Sequence, residues 1–310
     1  MLTTLIITRA VHIATSILIA GIFTFDFVTL GFTGRSESND LHEIERRLFR
    51  LAFWSLIAAL LSALLWFWLE VASMNELSLK YALSTPAWGA VLFETQFGRV
   101  WQLRLCLIAA AFVLVASALA QAKARRALVV VLWLVSVVLL ISLAWISHAA
   151  AATVHPFGVL GDMLHLCAAG LWLGGLVPLT IFLARVRASF SLGETVVRVV
   201  RRFSTLSLCC VSVLVVSGIS NSWLLVGSIH ALFTTPYGRL LLVKLTLFAI
   251  LIAIGARNRF LVKIKLLKAP VSLAVLPQLG RNVLCEMCLG VAVVAIVACL
   301  GVTPPSRHLY

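Results

Sequence analysis

The chain has 310 residues, of which 62% are hydrophobic and only 12% are charged, and its mean hydropathy is +1.09. Soluble domains have about 45–50% apolar and about 25% charged residues, so this composition excludes an ordinary soluble protein, a disordered chain and a disulfide-rich secreted domain. The formal net charge is +14, and the position of this charge decides whether it indicates a nucleic-acid partner.

The apolar residues occur in runs that are long enough to cross a bilayer as helices, which takes about 20 residues each. The sequence predicts an all-α polytopic membrane protein with eight transmembrane helices, at residues 3–32, 47–73, 99–121, 127–148, 158–184, 203–227, 239–256 and 283–302. The first run has no basic leader and contains Arg9 and His12, so we expect it to be a retained helix and not a cleaved signal peptide.

The basic residues are unevenly distributed between the two ends of the predicted bundle. Of the 25 Lys and Arg residues, 18 lie in the segments that follow the first, third, fifth and seventh helices. The positive-inside rule places these segments in the cytoplasm, so both termini are expected to face outward. Topology and contact with anionic lipid then account for the basic charge, and we predict no nucleic-acid partner.

The two halves of the chain resemble each other. Residues 91–107 and 231–247 share seven of seventeen residues at an offset of 140. Offsets of 153 and 155 give six further identities: His12 with His165, Leu18 with Leu171, Gly21 with Gly174, Arg47 with Arg202, Ser62 with Ser217, and Trp68 with Trp223.

These matches indicate an internal repeat. We expect residues 1–150 and 151–310 to form two parallel four-helix repeats within one integral membrane domain. A pseudo-two-fold axis along the membrane normal would relate them, and transporters commonly bind their substrates at such an interface.

The densest group of polar residues surrounds the hairpin between the fourth and fifth predicted helices. It contains three imidazoles, a carboxylate and a thioether: His148, His155, His165, Asp162 and Met163. No Lys or Arg occurs from residue 127 to 184, and ionisable groups at membrane depth are costly unless they are paired or functional. Because imidazole and thioether groups bind copper and related metals, this group predicts an outward-facing metal site.

His12 is the repeat partner of His165, and the pseudo-two-fold axis would bring the two imidazoles together from opposite halves. They are therefore candidate ligands of one ion. The alternative for each is a hydrogen bond between helices, which is the commoner role of an isolated membrane histidine. The alternative for Asp162 is an ion pair with Arg9, its own repeat partner.

A second polar group lies near the inner end of the eighth helix. Cys285 and Cys288 place two sulfurs on one helix face and are a candidate exit site for Cu(I), although cysteine also serves as a small apolar residue in membrane helices. Glu286 between them needs a partner, either in a structural salt bridge or for ion or proton passage. Three cations at the same level could pair with it: Arg257, Arg259 and Arg281.

Arg104 and Lys244 are equivalent cations in the third and seventh predicted helices. We expect both side chains to extend to the membrane surface or to pair with an acidic group.

Several of these segments resemble the bacterial copper-resistance protein D (CopD) family. The resemblance rests on Ser147-His148-Ala149, Asp162-Met163-Leu164-His165, Trp172-Leu173-Gly174-Gly175-Leu176, Arg202-Phe203-Ser204, Thr235-Pro236-Tyr237-Gly238 and Lys244. It implies an inner-membrane protein that moves copper ions from the periplasm toward the cytoplasm, and we expect no enzymatic activity. In that membrane, the outward termini expected from the positive-inside rule lie in the periplasm. The resemblance also implies a separate periplasmic copper-binding partner of the CopC type.

The resemblance assigns the candidate ligands unequally. His148 and His165 match motif positions of the family, and His12 does so less securely. The pair of Cys285 and Cys288 is not part of the family pattern. The ion is expected to enter at the outward histidines, pass between the two four-helix repeats and leave at the basic inner face.

Two other functions fit the same sequence. Four-helix units with membrane histidines hold bis-histidine haem in electron-transfer proteins, and His12 and His165 could form one such pair, although no second pair lies near the inner side. A scaffold or sensor that binds copper without net transport would have the same outward site.

Overall fold

The computed structural model describes residues 1–31, 39–82, 86–121, 125–147, 155–189, 193–261 and 275–308. Every regular element in these ranges is helical: α1 (Leu2–Phe25), α2 (Asn39–Met74), α3 (Ala87–Glu94), α4 (Gln96–Ala120), α5 (Arg125–Ile141), α6 (His155–Ser189), α7 (Gly193–Val226), α8 (Ile229–Thr234), α9 (Pro236–Leu261) and α10 (Leu276–Leu300). A π-helical turn at Asp26–Leu30 extends α1, and 3₁₀ turns occupy Ser142–Ile146 and Ser306–His308.

Eight of the helices are long and apolar enough to cross a membrane, which confirms the predicted all-α polytopic fold. The helix ends differ from the prediction: α2 begins at Asn39 and not at residue 47, and α7 begins at Gly193 and not at residue 203. Hydropathy marks the part of a helix that lies in the bilayer, whereas backbone hydrogen bonding continues into the polar extensions. In one such extension Arg185 of α6 forms ion pairs with Asp40 (2.8 Å) and Glu43 (2.6 Å) of α2.

Two short helices, α3 and α8, were not predicted from the sequence, because runs of this length have no transmembrane signal. They precede α4 and α9 in equivalent parts of the two halves. The hydroxyl groups of Thr95 and Thr235 cap α4 and α9 by accepting hydrogen bonds from the backbone N–H of Gly98 (2.9 Å) and Gly238 (3.0 Å). The same capping geometry at an offset of 140 is consistent with the predicted repeat.

The two halves meet where α1 packs directly against α6. A Cβ added at Gly21 would lie 2.0 Å from the carbonyl carbon of Gly174, and one added at Gly174 would lie 2.1 Å from the carbonyl oxygen of Ile17. Glycines permit such close approach of membrane helices. Because Gly21 and Gly174 are repeat partners, this crossing lies where an axis relating the two halves would pass.

The glycine crossing gives a prediction for stability. Gly174→Ala is expected to lower the melting temperature of the detergent-purified protein by several degrees, because the added methyl group collides with the α1 backbone and overpacking costs about 1–3 kcal/mol. Gly89→Ala in α3 is the control, since no atom lies within 4 Å of a Cβ at that position. Equal melting temperatures for the two variants would contradict the close crossing.

Candidate functional site

We call the end of the bundle that carries residues 1 and 308 the outer end. A cavity of about 590 Å³ lies at the outer end of the second half. We call it the outer cavity. Helices α6, α7, α9 and α10 form most of its walls, and α1 closes one side. Most of its lining is apolar, and its polar side chains include Asp162, His165, Asn221, Tyr237 and Lys244. An apolar cavity with a few convergent polar groups is typical of a ligand site.

His165 of α6 lies between a serine and a lysine from neighbouring helices. Its Nδ1 is 3.0 Å from Oγ of Ser217 in α7, and its Nε2 is 3.5 Å from Nζ of Lys244 in α9. The Ser217 hydroxyl donates to the carbonyl of Val213 (2.6 Å), so it accepts from the Nδ1–H group of His165. This network assigns the tautomer that leaves a lone pair on Nε2, which is the form in which imidazole binds a metal ion.

Asp162 lies on the same face of α6, one turn toward the outer end. The side-chain amide of Asn221 donates to its Oδ1 at 3.3 Å, and the Lys244 ammonium interacts electrostatically with the same carboxylate. No ion pair joins Asp162 to Arg9, although both residues are described. The Arg9 guanidinium instead lies over the ring of Trp66, with its Cζ atom 4.6 Å from the ring centroid.

The first half contains an equivalent cluster around His12, but this cluster is closely packed. The Ser62 hydroxyl lies 3.0 Å from Nδ1 of His12, and Nη2 of Arg104 donates to Nε2 at 2.6 Å. Arg104 also donates to the hydroxyl groups of Ser16 and Ser142 (3.0 and 2.6 Å). His12 therefore forms hydrogen bonds between helices through both ring nitrogens. This is the role that the sequence analysis gave as the alternative to metal binding.

The expectation that Arg104 extends to the surface or pairs with an acidic group was wrong. Its side chain is 0% exposed, and a guanidinium group has five N–H donors to satisfy. Those donors are taken by His12, by two serine hydroxyls and by the backbone carbonyl of Leu139, so no carboxylate is needed. Its repeat partner Lys244 instead shares the outer cavity with Asp162.

Two differences between the halves account for the cavity. The offset of 155 pairs Trp66 with Asn221, and the offset of 140 pairs Trp101 with Leu241. The indole rings of Trp66 and Trp101 pack against the His12 ring at centroid distances of 5.6 and 5.4 Å. Asn221 and Leu241 are smaller and line the outer cavity, so the second half leaves open the space that two indoles fill in the first.

The structure does not assemble all the predicted ligands around His165. His148 lies outside the described residues, and of His155 only the backbone is described, at the start of α6. Met163 is half-buried and does not line the outer cavity. His12 contacts α2 and α4 whereas His165 contacts α7 and α9, so the two rings share no partner. Among the described residues, no three His, Cys, Asp or Glu side chains lie close enough to hold a metal ion, and the metal site stays a prediction.

A second cavity, of about 170 Å³, lies toward the inner end of the second half; we call it the inner cavity. Glu286 of α10 lines it and accepts a 2.5 Å hydrogen bond from the amide of Asn258 in α9, whose own oxygen accepts from Asn282 at 2.7 Å. An amide thus takes the place of the arginine that we expected to pair with Glu286. Arg259 lines the same cavity but donates to the Ser204 hydroxyl.

The two thiols beside Glu286 face away from it. Cys285 and Cys288 are exposed on α10, whereas Glu286 is buried, and neither cysteine lines either of the two cavities. All seven cysteines are free thiols. A role of this pair in copper exit stays a prediction.

The comparison with known families decides which group of proteins the chain belongs to. Residues 1–155 match the family model of the copper resistance protein D-like N-terminal domain, and residues 197–300 match that of copper resistance protein D. The chain belongs to the copper resistance protein D family. The two matches confirm the resemblance drawn from the sequence motifs.

Three relatives with curated names are similar to this chain over part of its length. Copper transport protein CutJ of Bacillus subtilis (strain 168) is 33% identical over 69% of this chain and 38% of its own length. Copper resistance protein D of Pseudomonas syringae pv. tomato is 27% identical over 69% of this chain and 71% of its own length. Inner membrane protein YebZ of Escherichia coli (strain K12) is 30% identical over 57% of this chain and 58% of its own length. The chain thus spans little more than a third of CutJ. No solved structure gives a significant match.

The two equivalent cations give a second prediction for stability. Arg104→Met is expected to lower the melting temperature in detergent much more than Lys244→Met, because each buried acceptor left without a donor costs about 1–3 kcal/mol. Lys244 lines a cavity and makes a longer contact with its histidine. An equal loss of stability in the two variants would show that both clusters are packed alike.

Proposed function

We propose that this protein captures copper ions from the periplasm in its outer cavity and moves them toward the cytoplasm, as part of a copper homeostasis or resistance system. The observation that carries the proposal is the position of His165. Its Nδ1–H group is held by Ser217, its Nε2 lies 3.5 Å from Nζ of Lys244, the residue lines the outer cavity, and a carboxylate lies one helical turn away. Membership of the copper resistance protein D family, in which CutJ is named a copper transport protein, supplies the identity of the ion.

The neighbouring groups have separate roles in this proposal. Asp162 compensates the positive charge of the ion, and Asn221 holds the carboxylate in place through its amide. Lys244 lies on the side of the His165 ring that copper would occupy. A copper ion bound at Nε2 must therefore displace the ammonium group, so Lys244 acts as an internal cation that occupies the site between transport events.

Copper would reach His165 from the outer face. Ser147 lines the outer cavity, and His148 follows it directly in the sequence. We therefore propose His148, with His155, as ligands that pass the ion to His165. In this orientation both termini are periplasmic, which the distribution of Lys and Arg supports, and a CopC-type protein would deliver copper at the same face.

The geometry gives less support to the haem alternative. A bis-histidine haem would need His12 and His165 to turn toward each other. Nε2 of His12 accepts from Arg104, and the two rings contact different helices. Copper capture by His165 alone leaves the packed cluster of the first half undisturbed.

Copper uptake by proteoliposomes tests the proposal. His165→Ala is expected to lower uptake by more than about tenfold, because even loss of a group that only supports a metal ligand costs about 10–100-fold in affinity or activity. His230→Ala is the matched control, since this histidine is exposed on α8 at the same outer end. Uptake should be measured with and without an ion gradient, which also identifies the driving force.

Three results would contradict the proposal. Uptake by His165→Ala at the rate of the unmodified protein would exclude the proposed site. Copper binding without net flux in the unmodified protein would favour the scaffold or sensor. A strong Soret band in the purified protein would favour haem-based electron transfer.

A further inference from the structure

The outer and inner cavities follow each other along the second half and meet at one side chain. Trp172 of α6 is the only described residue that lines both cavities. Its side chain is 2% exposed, and its ring makes an edge contact with Phe248 of α9 at a centroid distance of 6.3 Å. A Cβ added at Gly255 would lie 4.0 Å from its Cζ2 atom. The indole therefore fills the passage between α6 and α9.

The inner cavity offers oxygen atoms to a cation, and the one arginine described at its lining, Arg259, donates to Ser204 and not to Glu286. Glu286 contributes a carboxylate that is hydrogen-bonded to Asn258, and no ion pair to Glu286 occurs among the described residues. The hydroxyl of Ser207 donates to the carbonyl of Phe203, so its oxygen can still accept or coordinate. A buried carboxylate inside a membrane bundle is costly without a positive partner and marks an ion pathway.

In the part of the first half that the structure describes, packed side chains fill the equivalent positions. The repeat partner of Trp172 at an offset of 153 is Ile19, which is 0% exposed within the core. The cluster at Arg104 is fully packed, and the backbones of α1 and α6 are in contact at Gly21 and Gly174. A route between the two repeats, as expected from the sequence, would meet this crossing, whereas the two cavities lie to one side of it.

We propose that the ion route runs along the second half, with α1 closing one side of the outer cavity, and that Trp172 is the barrier between the outer site and a second, inner cation site at Glu286. The ion enters at His165, the indole moves aside, and the ion then reaches the carboxylate and hydroxyl oxygens of the inner cavity. The first half acts as the packed support against which α6 is held. The identity of the ion rests on the proposed function.

The barrier is tested by passive copper flux into proteoliposomes down a concentration gradient. Trp172→Ala is expected to raise this flux several-fold, because it joins the two cavities, and Trp172→Phe should give a smaller rise if the alanine variant does not fold. Ile19→Ala is the matched control, since it removes buried apolar volume at the equivalent position and should leave the flux unchanged. An unchanged flux in both Trp172 variants, or an equal rise in Ile19→Ala, would overturn the proposal.

The inner site is tested by measuring equilibrium copper binding and uptake on the same variant. Glu286→Gln keeps a group that can accept from Asn258 but removes the charge, so uptake should fall several-fold while binding at the outer cavity is retained. Glu94→Gln is the matched control, since it removes an exposed carboxylate of α3 that lines neither cavity, and it should change neither. His165→Ala should lose both the binding at the outer cavity and the uptake.

The two measurements test the inner site at Glu286 separately from the outer copper site at His165. Normal uptake by Glu286→Gln, with His165→Ala inactive, would overturn the inner site and leave the outer copper site intact. Absence of copper binding by the unmodified protein would overturn both.

Discussion

A charged side chain inside a bilayer must find its partners within the protein, and this constraint shapes both halves of the molecule. Arg104 and Lys244 occupy equivalent positions, and each contacts a histidine whose Nδ1 lies against a serine hydroxyl. The guanidinium group spreads its hydrogen bonds over several acceptors and is fully enclosed. The ammonium group has fewer contacts and lies at the wall of a cavity. The same arrangement therefore yields one closed cluster and one that is open to a ligand.

The residues around each histidine account for this difference between the two halves. In the first half Trp66 and Trp101 fill the space around His12, which leaves a rigid bundle. In the second half the equivalent residues Asn221 and Leu241 leave that space open. The glycine crossing holds α6 against α1, so the helix that carries His165 is supported on one side and faces the outer cavity on the other. A transporter needs both properties, since the bound ion must be positioned and the surrounding helices must be able to move.

Much of this arrangement could be predicted from the sequence. Hydropathy located the eight spans, because each contains a run of apolar residues long enough to cross a bilayer, and the residue matches between the halves paired His12 with His165 and Gly21 with Gly174. The sequence could not show that Arg104 satisfies its donors without a carboxylate, since that depends on hydroxyl and carbonyl groups from other helices. The partner of Glu286 was missed for a similar reason: Asn258 is neutral, and charge patterning points only to cations.

The central claim is that copper binds at His165 in the outer cavity, and anomalous diffraction at the copper absorption edge tests it most directly. Crystals of the copper-loaded protein should give an anomalous peak within coordination distance of His165 Nε2, on the side of the ring that faces Lys244. A peak beside His12, or one confined to the thiols of Cys285 and Cys288, would contradict the account.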